Sequence, residues 1–189
     1  DIADYITVNI SSPNTEGLRD FHDQEKLEDL LLALNKIKSE NKINIPLLLK
    51  ISPDIKDNHI SEIADTAIKN DISGIILTNT TNSNKDKLIS DFKKEEGGLS
   101  GEPLQQISTN IIKKFYKQLN GKIPIIGVGG VNSGKSAYEK IIAGASLLQL
   151  YTGLVYKGPS IVKDIKKELI QILKAEGLDN IKDAIGKNL

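Results

Sequence analysis

Five short, unbroken apolar runs separated by segments of helical period constrain this chain more than any other feature of its sequence. The runs are YITVNI (5–10), IPLLLKI (45–51), GIILTN (74–79), IPIIGVG (123–129) and SLLQLYTG (146–153). A strand with one wet face alternates apolar and polar residues, so a continuous run predicts a strand buried on both faces, as in a parallel sheet. Between the runs, apolar residues recur at spacings of three and four: Leu27, Leu30, Leu31 and Leu34; Ile60, Ile63, Ala64, Ala67 and Ile68; Ile107, Ile111, Phe115 and Leu119; and a shorter set around Ala137, Ile141 and Ile142. This alternation predicts an α/β domain whose helices cover the sheet through right-handed crossovers. An open doubly wound sheet and part of a (β/α)8 barrel both satisfy it. The amphipathic IVKDIKKELIQIL (161–173) then reads as an outer helix.

Polar residues collect where each run stops, as NISSPNT, KISPD, TNTT, GVGG and YTG. Parallel strands bring their C-terminal ends to one face, and in barrels that face carries the active site. Five polar ends on one face predict a site there.

Composition narrows the chemistry. Twenty-five basic and twenty-five acidic side chains cancel, which leaves no global field for nucleic acid or an anionic membrane surface. No run reaches the roughly 18 apolar residues of a membrane span and no signal peptide opens the chain, so this segment is expected to be soluble and unexported. Cys is absent, which excludes disulfides, Cys-bound metal and a thiol nucleophile, and two isolated histidines, His22 and His59, are expected at the surface and form no metal site. The chain begins at Asp1 and contains no Met, so a longer protein is expected.

One stretch offers a competing reading. Gly129-Gly130-Val131-Asn132-Ser133-Gly134-Lys135-Ser136 satisfies G-x-x-x-x-G-K-[ST] letter for letter, with a strand before it and a helix after it. A P-loop hydrolase also needs a second strand ending in a carboxylate for magnesium. The following run ends in Tyr151-Thr152-Gly153, and earlier ones end in Asn, Lys and Thr-Asn. Lys135 therefore reads as a solvated residue in the first turn of a helix. The glycines fit instead the phosphate site that barrels build after their last two strands, which numbers the five runs as strands four to eight.

Taken in order, NISSPNTEGLR, KISPD, TNTT, GGLSGEPL, PIIGVGGV, AGASLLQLYTGLVYKGP and GLDNIKDAIG resemble the class 2, quinone-linked dihydroorotate dehydrogenases, a family of FMN barrels. The resemblance covers essentially the whole chain. Class 1 relatives carry Cys where Ser12 stands. The resemblance implies oxidation of dihydroorotate to orotate, with hydride passing to FMN and a quinone as final acceptor. Ser12 is then the base. Asn9, Asn14, Asn79 and Thr80 align with substrate contacts, and carboxamides suit a ureide ring because they donate and accept. Asn9 also aligns with a flavin contact. Lys50 is implied to face the flavin, where a cation stabilises the reduced ring. Thr78, Gly101, Gly130, Tyr151 and Thr152 align with the remaining FMN contacts.

The same resemblance makes residues 1–189 the C-terminal portion of one FMN-binding barrel whose N-terminal half is absent, and the fragment alone is expected to be inactive. A catalytically silent half-barrel is the remaining alternative. Quinone entry and peripheral contact with the cytoplasmic face of the inner membrane belong by resemblance to the absent part. Two open sheet edges are expected to invite association. KDKLISDFKKEE (85–96) reads as a solvated loop, with a mobile lid as the alternative given its place before GGLSG, and Glu16 departs from the Pro common there in the family.

Overall fold

The computed structural model describes residues 2–83 and 85–189. Its strands are β1 (Ile6–Asn9), β2 (Leu47–Ile51), β3 (Gly74–Leu77), β4 (Ile125–Val128) and β5 (Leu147–Gln149). They form one parallel sheet in the order β1-β2-β3-β4-β5, so each strand pairs with the next in sequence. The connecting helices are α1 (Gln24–Glu40), α2 (Asp57–Lys69), α3 (Gln105–Leu119) and α4 (Gly134–Ile142), followed by α5 (Thr152–Lys157) and α6 (Ile161–Ala175). The expected α/β class is what the chain forms.

Period two along the strands divides the sheet into two faces. Leu47, Leu49, Ile51, Ile75, Leu77 and Ile125 join the main core beneath α1, α2 and α3, with Phe115, Ile63 and Leu31 among its fully buried members. Leu48, Ile76 and Ile126, with Val128 against them, form a smaller cluster on the other face. Lys50 shares that second face, two residues beyond Leu48 and paired with Ile76. α6 covers α4 through Ile161 and Ile165, as the amphipathic 161–173 pattern leads one to expect.

Three expectations are corrected. Burial on both faces holds for β2, β3 and most of β4, but β1 and β5 are largely exposed, Ile6 by 42% and Leu147 by 61%, because each has a strand neighbour on one side only. The run 146–153 is not one strand: the ladder stops at Gln149 and α5 begins at Thr152. His22 is buried instead of exposed, and burial first, then the charges of Arg19 and His59, pull its pKa down to about 4.

Residues 85–96 contain two single 3-10 turns, Lys85–Lys87 and Asp91–Lys94. Besides its charges this segment exposes Ile89 fully and most of Phe92. Asn84 lies outside the described residues. Among the described residues no helix is long and apolar enough to cross a membrane.

Candidate functional site

All five strands end on one side of the sheet, where a cavity of about 290 Å³ opens, at the small end of the range for ligand sites. Lys50, Thr78, Asn79 and Thr80 line it from β2 and the end of β3. Gly101, Gly130, Tyr151 and Thr152 line it from the opposite side. Eight of the residues implied by the resemblance therefore share one cavity. Asn9, Ser12 and Asn14 do not line it.

Asn9 is tied to that cavity by a relay. Ser11, fully buried, donates from Oγ to Asn9 Oδ1 at 2.6 Å and accepts from Asn79 Nδ2 at 2.9 Å. Asn79 Oδ1 in turn accepts from the Thr80 amide at 2.8 Å. The two carboxamides are thus oriented by a hydroxyl between them, at the tips of β1 and β3. Ser11 was not singled out from sequence, where it is one of two adjacent serines.

Ser12 is half-buried, and its Oγ accepts from the Asn14 amide and from Thr15 Oγ1, both at 3.3 Å. These are long hydrogen bonds. They point donors at the oxygen, which favours developing negative charge on it. Asn14 is exposed and lines a separate hollow with Asn82 and residues 94–97.

The Lys50 ammonium makes no hydrogen bond or ion pair to another described residue. Its half-buried ammonium is held below the usual lysine range by desolvation, so an anionic group placed against it would recover interaction it now lacks. Thr78 is buried, donates from Oγ1 to the Asn79 carbonyl at 3.0 Å, and follows a cis Leu77–Thr78 peptide.

Across the cavity the backbone is the functional surface. Gly129 and Gly130 have φ of +118° and +74°, conformations that L side chains rarely adopt. Their amides make no hydrogen bond to another described residue. A Cβ on Gly130 would lie 2.8 Å from the Gln105 Cα, so this glycine is required by the close approach of α3 and not by the cavity itself. Gly101 has φ +78°, and its Cβ would meet Thr152 Cγ2 at 2.9 Å, while Ser100 and Thr152 share a hydroxyl hydrogen bond of 2.9 Å. The bridge between Thr81 and Leu99 fastens the same loop to the end of β3.

The P-loop reading has no geometry behind it. Ser136 is buried, and its Oγ accepts from the amides of Asn132 and Ser133 at 2.9 and 3.0 Å in a capping box that starts α4. The hydroxyl that would meet magnesium is spent on the helix. Lys135 is exposed on the first turn, as expected.

Asp54 is a second residue that sequence reading left unmarked. Its carboxylate accepts from Arg19 Nη2 at 3.2 Å, the Asn82 amide at 2.9 Å, Ser83 Oγ at 3.0 Å and Thr81 Oγ1. Burial raises its pKa, but the hydrogen bonds from Thr81, Asn82 and Ser83, with the Arg19 charge, outweigh that and lower it. One carboxylate therefore joins the loops after β1, β2 and β3. The signal for it in the sequence is that Arg19, its partner, is the only arginine in the chain.

Comparisons with known proteins show the family of the chain. Residues 1–173 match the family model described as dihydroorotate dehydrogenase. A dihydroorotate dehydrogenase (quinone) from Bartonella tribocorum is 47% identical over 193 residues, covering 100% of this chain and 54% of that protein. The mitochondrial dihydroorotate dehydrogenase (quinone) of Arabidopsis thaliana is 43% identical, covering 97% of this chain and 41% of its own length. A crystal structure of DHODH from Eimeria tenella in complex with ferulenol superposes with a TM-score of 0.93 at 37% identity, covering 98% of this chain and 54% of that one. The chain spans about half the length of the relatives it matches.

Proposed function

The chain belongs to the dihydroorotate dehydrogenase family, and we propose that it is the C-terminal part of an FMN-dependent enzyme that oxidises dihydroorotate to orotate in pyrimidine biosynthesis. Its five strands are strands four to eight of a single (β/α)8 barrel, a fold that needs about 250 residues. Quinone is the electron acceptor, the acceptor stated in the names of its relatives. Quinone entry and peripheral association with the inner membrane fall to the remainder of the protein.

The observation that carries this reading is the pairing of two features across one cavity. An unpaired cation, Lys50, stands on one side, and two unpaired backbone amides at Gly129 and Gly130 stand on the other. This donor set fits FMN: an electron-poor ring that gains negative charge on reduction suits the cation, and a phosphate suits amides in a positive-φ loop. FMN when bound supplies the hydride acceptor. Thr78, Gly101, Tyr151 and Thr152 complete the walls that hold it, and Asn9 serves both flavin and substrate.

The rest of the chemistry is the chain's own. Asn79 and Asn9, oriented through Ser11, present donors and acceptors to the alternating N–H and C=O groups of a ureide ring, with Thr80 beside Asn79 and with Asn14 reaching the substrate from the loop after β1. Ser12 Oγ takes the proton from substrate carbon, and its two incoming hydrogen bonds stabilise the charge as the hydroxyl gives up its own proton to water. Lys50 holds positive charge where negative charge develops.

The test is anaerobic mixing of the complete, purified protein with dihydroorotate while flavin absorbance is followed. Bleaching of a bound flavin, reversed by a quinone analogue, is expected. A folded colourless protein, or a flavin that dihydroorotate leaves oxidised, refutes the reading.

A further inference from the structure

Lys140 is the one fully buried lysine among the described residues, and it does not line the cavity. It sits on α4, and its ammonium reaches across to the first turn of α3. There it donates to Ser108 Oγ, to Thr109 Oγ1 at 3.1 Å and to the Gln105 carbonyl at 3.3 Å. Both hydroxyls have already committed their protons, Ser108 to the Val128 carbonyl at 2.8 Å and Thr109 to the Gln105 carbonyl at 2.8 Å. What they turn toward Lys140 is lone pairs, and three acceptors around one point call for an ammonium, the only side-chain group with three donors on one atom.

The cluster satisfies every donor yet leaves the charge uncompensated. Glu139, its neighbour on α4, is engaged by Gln105 Nε2 at 2.6 Å, and among the described residues no acidic group pairs with Lys140. Burial pulls its pKa down to about 7, with Glu139 raising it only in part. An apolar side chain on α4 with a rearranged α3 turn would fill the space without a charge to desolvate. A buried cation at this position asks for an anion on the far side of what it touches.

That far side is the glycine loop. The Val128 carbonyl that receives the Ser108 proton also accepts the Thr78 amide at 3.0 Å, and the same peptide carries the unpaired Gly129 amide. Hydrogen bonds in series polarise one another, so Lys140 to Ser108 to Val128 strengthens the Gly129 N–H as a donor. The α3 turn that Lys140 holds is also the one against which Gly130 packs.

We propose that Lys140 is a positioning residue of the phosphate end of the site: it fixes the first turn of α3 behind Gly129 and Gly130 and lends its charge, through Ser108 and the Val128 peptide, to the amides that receive the phosphate monoester of the flavin. This rests on the flavin reading above. It predicts a charge effect confined to the phosphate, which a simple structural staple does not.

The probes are FMN and riboflavin, which differ only in that phosphate. Apoprotein of the complete enzyme is titrated with each, and the ratio of the two dissociation constants is compared among wild type, Lys140→Met and Ser108→Ala. Lys140→Met is expected to weaken FMN about tenfold or more while riboflavin changes by less than about threefold, and Ser108→Ala, which keeps the charge and breaks the relay, lowers the ratio by a smaller factor. If Lys140→Met does not fold, Ser108→Ala alone decides. A wild type that binds neither flavin refutes the functional reading as a whole. A wild type that binds both, with a ratio that neither variant moves, refutes the role of Lys140 and leaves the function standing.

Discussion

Replacing Asp54 by Asn and by Ala should separate charge from hydrogen bonding at the junction of three loops. The side chain is 13% exposed and Arg19 31%, so the pair is screened but not fully solvated. In Asp54→Asn the carboxamide has one good orientation. Its oxygen takes the place of Oδ2, facing Arg19 Nη2 and the Asn82 amide, which can only donate. Its nitrogen takes the place of Oδ1, facing the Thr81 and Ser83 hydroxyls, which can turn to accept. All four contacts survive and only the charge is lost, which should cost about 1–2 kcal/mol. Asp54→Ala strands a guanidinium and a backbone amide, and should cost about 3–4 kcal/mol. Urea unfolding of the complete protein, with holo and apo forms compared, measures both. Because Asp54 has a lowered folded pKa, its contribution is fully present above the unfolded value of about 3.9 and is lost as pH falls through the folded value. The gap between wild type and Asp54→Ala should therefore close only in strong acid. An Asn variant as unstable as the Ala variant refutes the hydroxyl-rotation argument, and an Ala variant within about 0.5 kcal/mol of wild type refutes the idea that this carboxylate ties the loops.

Other substitutions address the chemistry. Ser12→Ala should retain flavin but slow its reduction by dihydroorotate about 100-fold to 10,000-fold, as loss of a base does; stopped-flow reduction at the wild-type rate would remove Ser12 from that role. Lys50→Ala should lower flavin affinity, midpoint potential or both, because Lys50 is the only cation among the described residues that line the cavity, and unchanged flavin content with an unchanged potential would contradict this. Gly130→Val should release flavin by forcing the loop off α3 and out of its positive-φ conformation, whereas Lys135→Ala, at an exposed side chain with no partner among the described residues, should leave flavin stoichiometry and turnover nearly unchanged. ATP binding lost in Lys135→Ala would revive the P-loop reading.

The central strands were legible because burial on both faces leaves a short continuous apolar run, bounded here by turn residues and flanked by segments of helical period. The same rule misjudged β1 and β5, since a run records the environment a strand is suited to, and these two lie at the open edges of the sheet. Thr152 and Gly153 looked like a strand end because period cannot reveal where a ladder stops and a six-residue helix begins. At the site, motif order brought eight residues to one cavity, but residues acting through others stayed hidden. Ser11 is indistinguishable from Ser12 in one dimension. Asp54 gains its meaning only when three loops converge on it. Lys140 could have been suspected, for it falls three residues after Ala137 and beside Ile141 on the buried face of α4, where a lysine conflicts with the pattern.

The strictly sequential sheet has a metric consequence. Neighbouring strands lie about 4.8 Å apart, and Lys50 stands on β2 while the glycine loop follows β4, so the cation and the amides are separated laterally by two strand steps, about 10 Å. The sheet is thus a ruler whose graduations are hydrogen-bonded and cannot be stretched by side-chain substitution. A ligand that must touch both marks is selected by the length of the tether between its ring and its anion as much as by the chemistry of either end.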